Sequence, residues 1–400
     1  MKVKIHRGTH QIGGCITEIQ SNSGAKIIID IGENLPSINK EPSLEIKIEG
    51  LNCGEPTYDA VFVTHYHEDH IGLYKHILPE IPIYVGEIST GIYKILQNRL
   101  LEAKIISKDE VVLIDKFKTF KIPEKIQIKD ITITPIEVDH SAFNAHMFLV
   151  ECDGRKVLHT RDFRTHGQRG KSVIPALEKY VGQVDCLISE GTTLSREKEN
   201  SMTEFEVQNE AEHIFKQNKY NFVMCSSTNI DRIAAIHKAT LKTGKLFVCD
   251  KYQKEILMYI DSDSRSGLYK FENTVKIYGK NLLQEMKEKG FVMLVRDNWL
   301  SRHVRKKFEH NETTFIYSQW EGYLNEHFKE YAHLQKFVPK DYIYLHTSGH
   351  AHFEAIQKVC QVVNPKILIP IHSEKPSEFK EMKLDNCEIK ELVDGNCIDI

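Results

Sequence analysis

The segment Thr64-His65-Tyr66-His67-Glu68-Asp69-His70 sets three imidazoles and a carboxylate within the six residues 65–70. Neutral imidazole and carboxylate are ligands for borderline divalent metals such as Zn²⁺. Four donors this close crowd a single structural site unless the chain folds back sharply. They suit two adjacent ions, His65 and His67 on one, Asp69 and His70 on the other. The competing reading is a solvated polar loop that contains histidines by chance. The order of the donors, directly after the apolar run Tyr58 to Thr64, argues against it. Tyr66 and Glu68 fall between the donors and receive no ligand role.

Other apolar runs also end in a ligand-type residue. Ile131 to Val138 leads to Asp139-His140, and Arg155 to Thr160 leads to Asp162. Cys186 to Ser189 ends at Glu190, Tyr342 to Ser348 leads to His350, and Ile367 to Ile371 ends at His372. Taken singly, each is an ordinary cap or a surface histidine. Taken together, they describe strands whose carboxyl ends converge on one cleft, where α/β sheets place their sites. Asp69 and Asp162 supply two carboxylates; His65, His67, His70, His140 and His372 supply five imidazoles. A bridging Asp together with a bridging hydroxide would complete two sites. Two ions roughly 3.5–4 Å apart clamp the attacking and departing oxygens of an in-line displacement. The donor set accepts Mn²⁺ as well as Zn²⁺.

These donors need strands to carry them, and the chain is long enough to build them. It has 400 residues, 41% hydrophobic and 27% charged, which excludes disordered and fibrous classes. The spacing predicts hairpins at Cys15–Gln20 with Ala25–Ile31, and at Met147–Cys152 with Arg155–Thr160 about the turn Asp153-Gly154. Helical periodicity follows Asp69 and covers Ile88–Ala103. After about residue 192 the pattern changes to a polar helix over Ser201–Asn218. Buried strands at Phe222–Cys225 and Lys245–Cys249 then alternate with helices at Ile230–Leu241 and Tyr252–Ile260, a parallel α/β unit. Strand-like runs return at Tyr342–His346 and Ile367–Ile371. The expected organisation is one α/β body over 1–192 and 341–400, interrupted by a smaller domain over 193–340. No stretch approaches a membrane span, and the first eight residues lack a signal-peptide core. The nine cysteines are scattered without C-x-x-C, as in a reduced, cytoplasmic protein. The net charge of −3 gives no global argument for a polyanionic partner.

In these motifs the chain resembles the metallo-β-lactamase-fold nucleases of the β-CASP group, especially ribonuclease J-like enzymes. His65-x-His67-x-Asp69-His70 matches the signature metal motif, His140 the third metal motif, and Asp162 the bridging aspartate. Asp30 matches an early Asp that supports the site in this fold; as a plain strand-end residue it reads equally well. Glu190 matches the acidic marker of the β-CASP insertion. His350, in Thr347-Ser348-Gly349-His350, matches the second marker and His372 the third. The resemblance implies an αββα sandwich with an inserted β-CASP domain, two Zn²⁺ ions, and a single-stranded nucleic-acid substrate. His372 at the third marker implies RNA rather than DNA. Arg161 stands where many members have Gly. The chain stops soon after His372, so the C-terminal domain of ribonuclease J is not expected.

The expected chemistry is phosphodiester hydrolysis. The resemblance gives Asp69 and Asp162 their catalytic place at the metals. His350 would donate a proton to the leaving oxygen or bind the phosphate, with Glu190 orienting it. Arg161 and Arg164, just beside a ligand, are candidates for phosphate contact, as are Ser348 and Gly349. Ser226, Thr228 and Asn229 form a polar strand-to-helix turn that suits a phosphate, or simply caps a helix. Arg302, Arg305, Lys306 and Lys307, with Trp299 nearby, read as a strand-tracking groove or as a solvated helix face. Other readings remain beside RNA cleavage: a DNA nuclease, a phosphodiesterase on a small or oligonucleotide substrate, a silent nucleic-acid-binding scaffold, or a β-lactamase-like hydrolase of small molecules. No membrane partner is expected, and the oligomeric state is open.

Overall fold

The computed structural model describes residues 1–35, 46–196, 202–264 and 266–400. The strands of the first half are β1 (Lys2–Arg7), β2 (Ile16–Gln20), β3 (Lys26–Ile29), β4 (Ala60–Val63), β5 (Ile83–Gly86), β6 (Lys118–Phe120), β7 (Ile126–Ile128), β8 (Ile131–Val138), β9 (Ala145–Cys152), β10 (Arg155–Arg161) and β11 (Cys186–Glu190). Those of the second half are β12 (Tyr220–Met224), β13 (Leu246–Cys249), β14 (Val275–Ile277), β15 (Phe291–Val295), β16 (Thr313–Tyr317), β17 (Ile343–Tyr344), β18 (Ile367–Ile371), β19 (Glu388–Ile389) and β20 (Cys397–Asp399). They form three sheets, ordered β20-β1-β2-β3-β4-β5-β6, β19-β18-β11-β10-β9-β8-β7 and β14-β13-β15-β12-β16-β17.

The first two sheets stack face to face. Alternation along each strand decides which side chains meet. Ile27 and Ile29 of β3 point inward with Phe62 of β4, against Phe148, Val157, Ile188 and Ile369 of the other sheet. Ile28, Val61 and Val63 point outward onto helical residues such as Ile92 and Tyr93. On the second sheet the outer face, with Leu149, Leu158, Leu187 and Leu368, is covered by the helices Val173–Tyr180 and Phe353–Val363. The layers are therefore helix, sheet, sheet, helix, the α/β architecture expected. Strands β3 and β4 read KIII and AVFV because both faces are buried. The hairpin between β9 and β10 turns at Asp153 and Gly154, with φ of 54° and 70°. That pair suits the two left-handed positions of a type I′ turn.

The third sheet is wholly parallel. Its helices Glu204–Gln217 and Ile230–Lys242 share one continuous core with the outer face of the first sheet. The helix expected over 201–218 runs from Glu204 to Gln217, and Ser201 lies outside the described residues. Thr203 and Glu206 close a capping box at its start. One expectation is corrected. The run Tyr342–His346 does not rejoin the main sheets. Only Ile343–Tyr344 is strand, and it pairs with β16 at the edge of the third sheet. A two-residue edge strand with both side chains exposed carries little pattern from which to assign a sheet.

Candidate active site

The first two sheets bring their strand ends to one edge. His65 follows β4, His140 follows β8 by two residues, Asp162 follows β10, Glu190 ends β11 and His372 follows β18. His67 caps the single-turn helix Glu68–Ile71, which carries Asp69 and His70. That turn packs hard onto the loop after β3. A Cβ on Gly32 would lie 1.6 Å from the Asp69 carbonyl oxygen, so only glycine fits there.

Three imidazole nitrogens converge: His65 Nε2 and His67 Nδ1 lie 3.1 Å apart, and His140 Nε2 lies 3.4 Å from His67 Nδ1. Burial, with neighbouring imidazoles adding to it, lowers the pKa of His65 and His140 well below the ordinary histidine value. Burial likewise takes His67 to about 4. All three rings are held neutral, the form that ligates metal. Asp69, His70, Asp162 and His372 form a second cluster of donor atoms within 4.8 Å of one another. Asp162 lies between the clusters, its Oδ2 3.1 Å from His70 Nε2 and 4.0 Å from His140 Nε2. Its Oδ1 is buried without a hydrogen-bond partner. A buried carboxylate oxygen with no donor is costly unless a cation compensates it. The donor set and the orphaned oxygen both fit two divalent ions.

The outer nitrogens of these rings are also engaged. His140 Nδ1 donates to the Gly349 carbonyl at 2.5 Å. His70 Nδ1 lies 2.9 Å from Asp30 Oδ2, and Asp30 also accepts from the Thr64 amide and hydroxyl. His372 Nδ1 lies 2.7 Å from the Thr192 hydroxyl, which donates to Glu190 Oε2 at 2.6 Å. Such partners fix the tautomer and leave Nε2 facing the centre. His350 differs. Its Nδ1 lies 3.0 Å from Glu190 Oε2 and 3.6 Å from Asp162 Oδ2. Burial opposes a charge on this ring, but Glu190 and Asp162 outweigh it and raise the His350 pKa. Glu190 is fully buried, its Oε1 accepting from the Phe163 amide at 2.9 Å. The centre opens into a cavity of about 900 Å³.

A Beta-lactamase superfamily domain model matches residues 48–224. The Ribonuclease J of Mycoplasma genitalium is 26% identical over 391 residues, 89% of this chain and 64% of the relative. The Ribonuclease J of Helicobacter pylori is 24% identical, covering 92% of this chain and 55% of the relative. The cleavage and polyadenylation specificity factor subunit 3 of Dictyostelium discoideum is 24% identical over 182 residues, 42% of this chain and 23% of that protein. The chain thus spans less than two thirds of the relatives' length. A solved structure of a protein of unknown function from Enterococcus faecalis V583 superposes with a TM-score of 0.76 at 19% identity, covering 99% of each chain. The chain carries a Beta-lactamase superfamily domain over residues 48–224 and is ribonuclease J-like, similar in sequence to proteins of the metallo-β-lactamase/β-CASP group.

Within this family frame, several expected residues sit elsewhere than the sequence suggested. Arg161 and Arg164 are fully buried and cannot touch a phosphate in the cavity. Arg161 pairs with Asp30 beneath His70, its φ of 45° lying in the left-handed region. Glycine adopts that conformation without a Cβ penalty. Arg164 donates to Asp139 at 2.9 Å and to Glu204 at 3.0 Å, with Asp231 at 3.4 Å. Asn229 Oδ1 caps the helix Ile230–Lys242, while Ser226, Asn229, Ser348 and Gly349 do line the cavity. Thr228 does not; its carbonyl accepts from the Tyr66 hydroxyl at 2.8 Å. The basic cluster lies on the helix Trp299–Lys307, away from the cavity. There Arg302 pairs with Asp297, and Arg305 lies over Phe315 and Phe337. Sequence reasoning passed over Thr192, which joins Glu190 to His372. It also missed the cavity wall of Trp320, Tyr323, Phe328 and Tyr331, for which the turn after β16 was the available signal.

Proposed function

We propose that the chain is a metal-dependent hydrolase of phosphodiester bonds, a ribonuclease of the ribonuclease J type acting on single-stranded RNA. The observation that carries this reading is the pair of donor clusters meeting at Asp162, with the Glu190–His350 pair at the mouth. His65, His67 and His140 would hold one ion; Asp69, His70 and His372 would hold the other, with Asp162 shared. Zn²⁺ suits the donors best, and Mn²⁺ is the alternative occupant. Divalent ions there supply a water of lowered pKa and neutralise phosphate charge.

The chain's own groups do the rest. Glu190 holds His350 Nδ1–H and favours the charged ring, so Nε2–H can bind a phosphate oxygen or pass its proton to the leaving oxygen. Thr192 keeps Glu190 and His372 in register through one hydroxyl. The curated relatives named Ribonuclease J support RNA as the substrate, as does His372 at the third marker. The first test pairs elemental analysis with cleavage of end-labelled RNA and DNA of one sequence. Two ions per chain and RNA cleavage that Asp162→Asn abolishes are expected. Cleavage of DNA alone overturns the RNA assignment, and no cleavage of either overturns the nuclease reading.

A further inference from the structure

The cavity wall opposite the donors is aromatic. Trp320, Tyr323, Phe328 and Tyr331 line the same cavity as Asp69, Asp162, His350 and His372. They follow β16 within fifteen residues, on a path that includes the 3₁₀ turns Glu321–Leu324 and Lys329–Tyr331. The rings brace one another, with centroids 5.3 Å apart for Trp320 and Tyr323 and 4.7 Å for Tyr323 and Tyr331. Backbone contacts fix the indole: the Tyr317 hydroxyl donates to the Trp320 carbonyl at 3.2 Å, and the Gly322 Cα packs against the ring edge so closely that a Cβ would lie 2.3 Å from it. Yet Trp320 is 36% exposed. A large ring that is pinned in place but left open toward a reaction centre is built to be covered by something flat.

The charge of the wall points the same way. Arg196 is the only arginine or lysine among the described residues lining the cavity, and its guanidinium lies 5.1 Å from the Trp320 ring centroid. A long polyanion gripped along its backbone needs a row of cations, and beyond His350 and the proposed ion pair the described lining offers only Arg196. Base–aromatic stacking supplies affinity without such a row and tolerates any base, because every base has a π-face. Building on the phosphodiesterase reading above, we propose that the wall of Trp320, Tyr323, Phe328 and Tyr331 is a nucleobase subsite. It stacks one base adjoining the scissile phosphate, with Arg196 as the single cation beside it. The substrate is thereby a short or terminal nucleotide unit seated in the cavity, recognised by its base and by one phosphate.

The chain holds two tryptophans, Trp299 and Trp320, so Trp299→Phe leaves Trp320 as the sole indole. The zinc-loaded variant is titrated with adenosine 5′-monophosphate and, separately, with ribose 5-phosphate. Quenching of the indole by the first and not by the second is expected. In parallel, the unmodified chain is given short RNAs with an abasic residue at each position in turn. One position should raise KM about ten- to a hundredfold with little change in kcat. Trp320→Ala should show the same rise on intact RNA and no further rise on the abasic one, and Trp320→Phe should recover most of the loss. Equal responses to both small phosphates, with no abasic position affecting KM, overturn the subsite while leaving the hydrolase reading intact. Quenching by the nucleotide without cleavage of any nucleic acid does the reverse.

Discussion

Glu204 is the buried acid on which the position of His350 depends. It lies in the first turn of the helix Glu204–Gln217 and is completely buried. Its Oε1 accepts from Arg164 at 3.0 Å and from Arg232 at 2.9 Å, and its Oε2 accepts from Arg232 Nε at 2.9 Å. Both arginines reach on to the loop before His350. Arg164 donates to the Ser348 carbonyl and Arg232 to the Thr347 carbonyl, each at 3.1 Å. Burial by itself would raise the Glu204 pKa; Arg232 and Arg164 outweigh it and take it from 4.5 to about 2. At about 1.4 kcal/mol per pKa unit, the charge contributes about 3 kcal/mol. Because the folded value is the lower one, this stability is fully present above about pH 4.5. It is lost as pH falls toward 2. Glu204→Gln keeps the shape and removes the charge. At pH 7 its Tm should fall by about 4 °C for a chain of this length unfolding as one unit. That gap should close as the pH is lowered from about 4.5 toward 2, because the native side chain then protonates too. Turnover should fall while metal content stays unchanged. A gap that is absent, or that stays constant across this acid range, refutes the reasoning.

Three further outcomes follow from the centre. Asp162→Asn removes the charge between the clusters and should abolish hydrolysis while preserving the circular dichroism spectrum; near-normal turnover would sink the shared-ligand role. His350→Ala should cut turnover about a hundredfold or more with both ions retained by elemental analysis. Loss of an ion instead would make His350 a ligand, in the cluster it forms with Asp162, Glu190 and His372. Asp30→Ala should weaken metal affinity about ten- to a hundredfold, measured by competition with a chromophoric chelator, and an unchanged affinity would reduce Asp30 to a structural residue.

The donors were legible because each follows a run that is apolar for a structural reason. Strands such as β4 and β11 are buried on both faces, so the first polar residue beyond them stands out at the sheet edge. The arginines were not legible. A guanidinium beside a ligand reads as a phosphate contact, since arginine is seldom buried unless paired. Here it is paired: Arg161 meets Asp30 from 131 positions away, and Arg164 meets acids at 139, 204 and 231. No local pattern announces such partners. The cavity wall was hidden for a similar reason. The residues after β16 follow neither helical nor strand periodicity, so their aromatics carry no face until the third sheet places them.

The same arginines explain how the bodies work as one. Arg164 is held between Asp139, next to the donor His140, and Glu204 and Asp231 on the helices of the third sheet. All four side chains are buried. Separating the two bodies would break these charge-assisted hydrogen bonds and open the apolar core they share to water. The third sheet is therefore fixed against the metal edge, and the shape of the cavity between them is part of the folded state. The donors come from loops after strands of the first two sheets, whereas the aromatic wall comes from the chain following β16 of the third. If the wall is the proposed base subsite, substitutions in it should change substrate binding without disturbing the donor clusters. Substitutions in the arginine network act on the wall and the His350 loop together, because both bodies meet there.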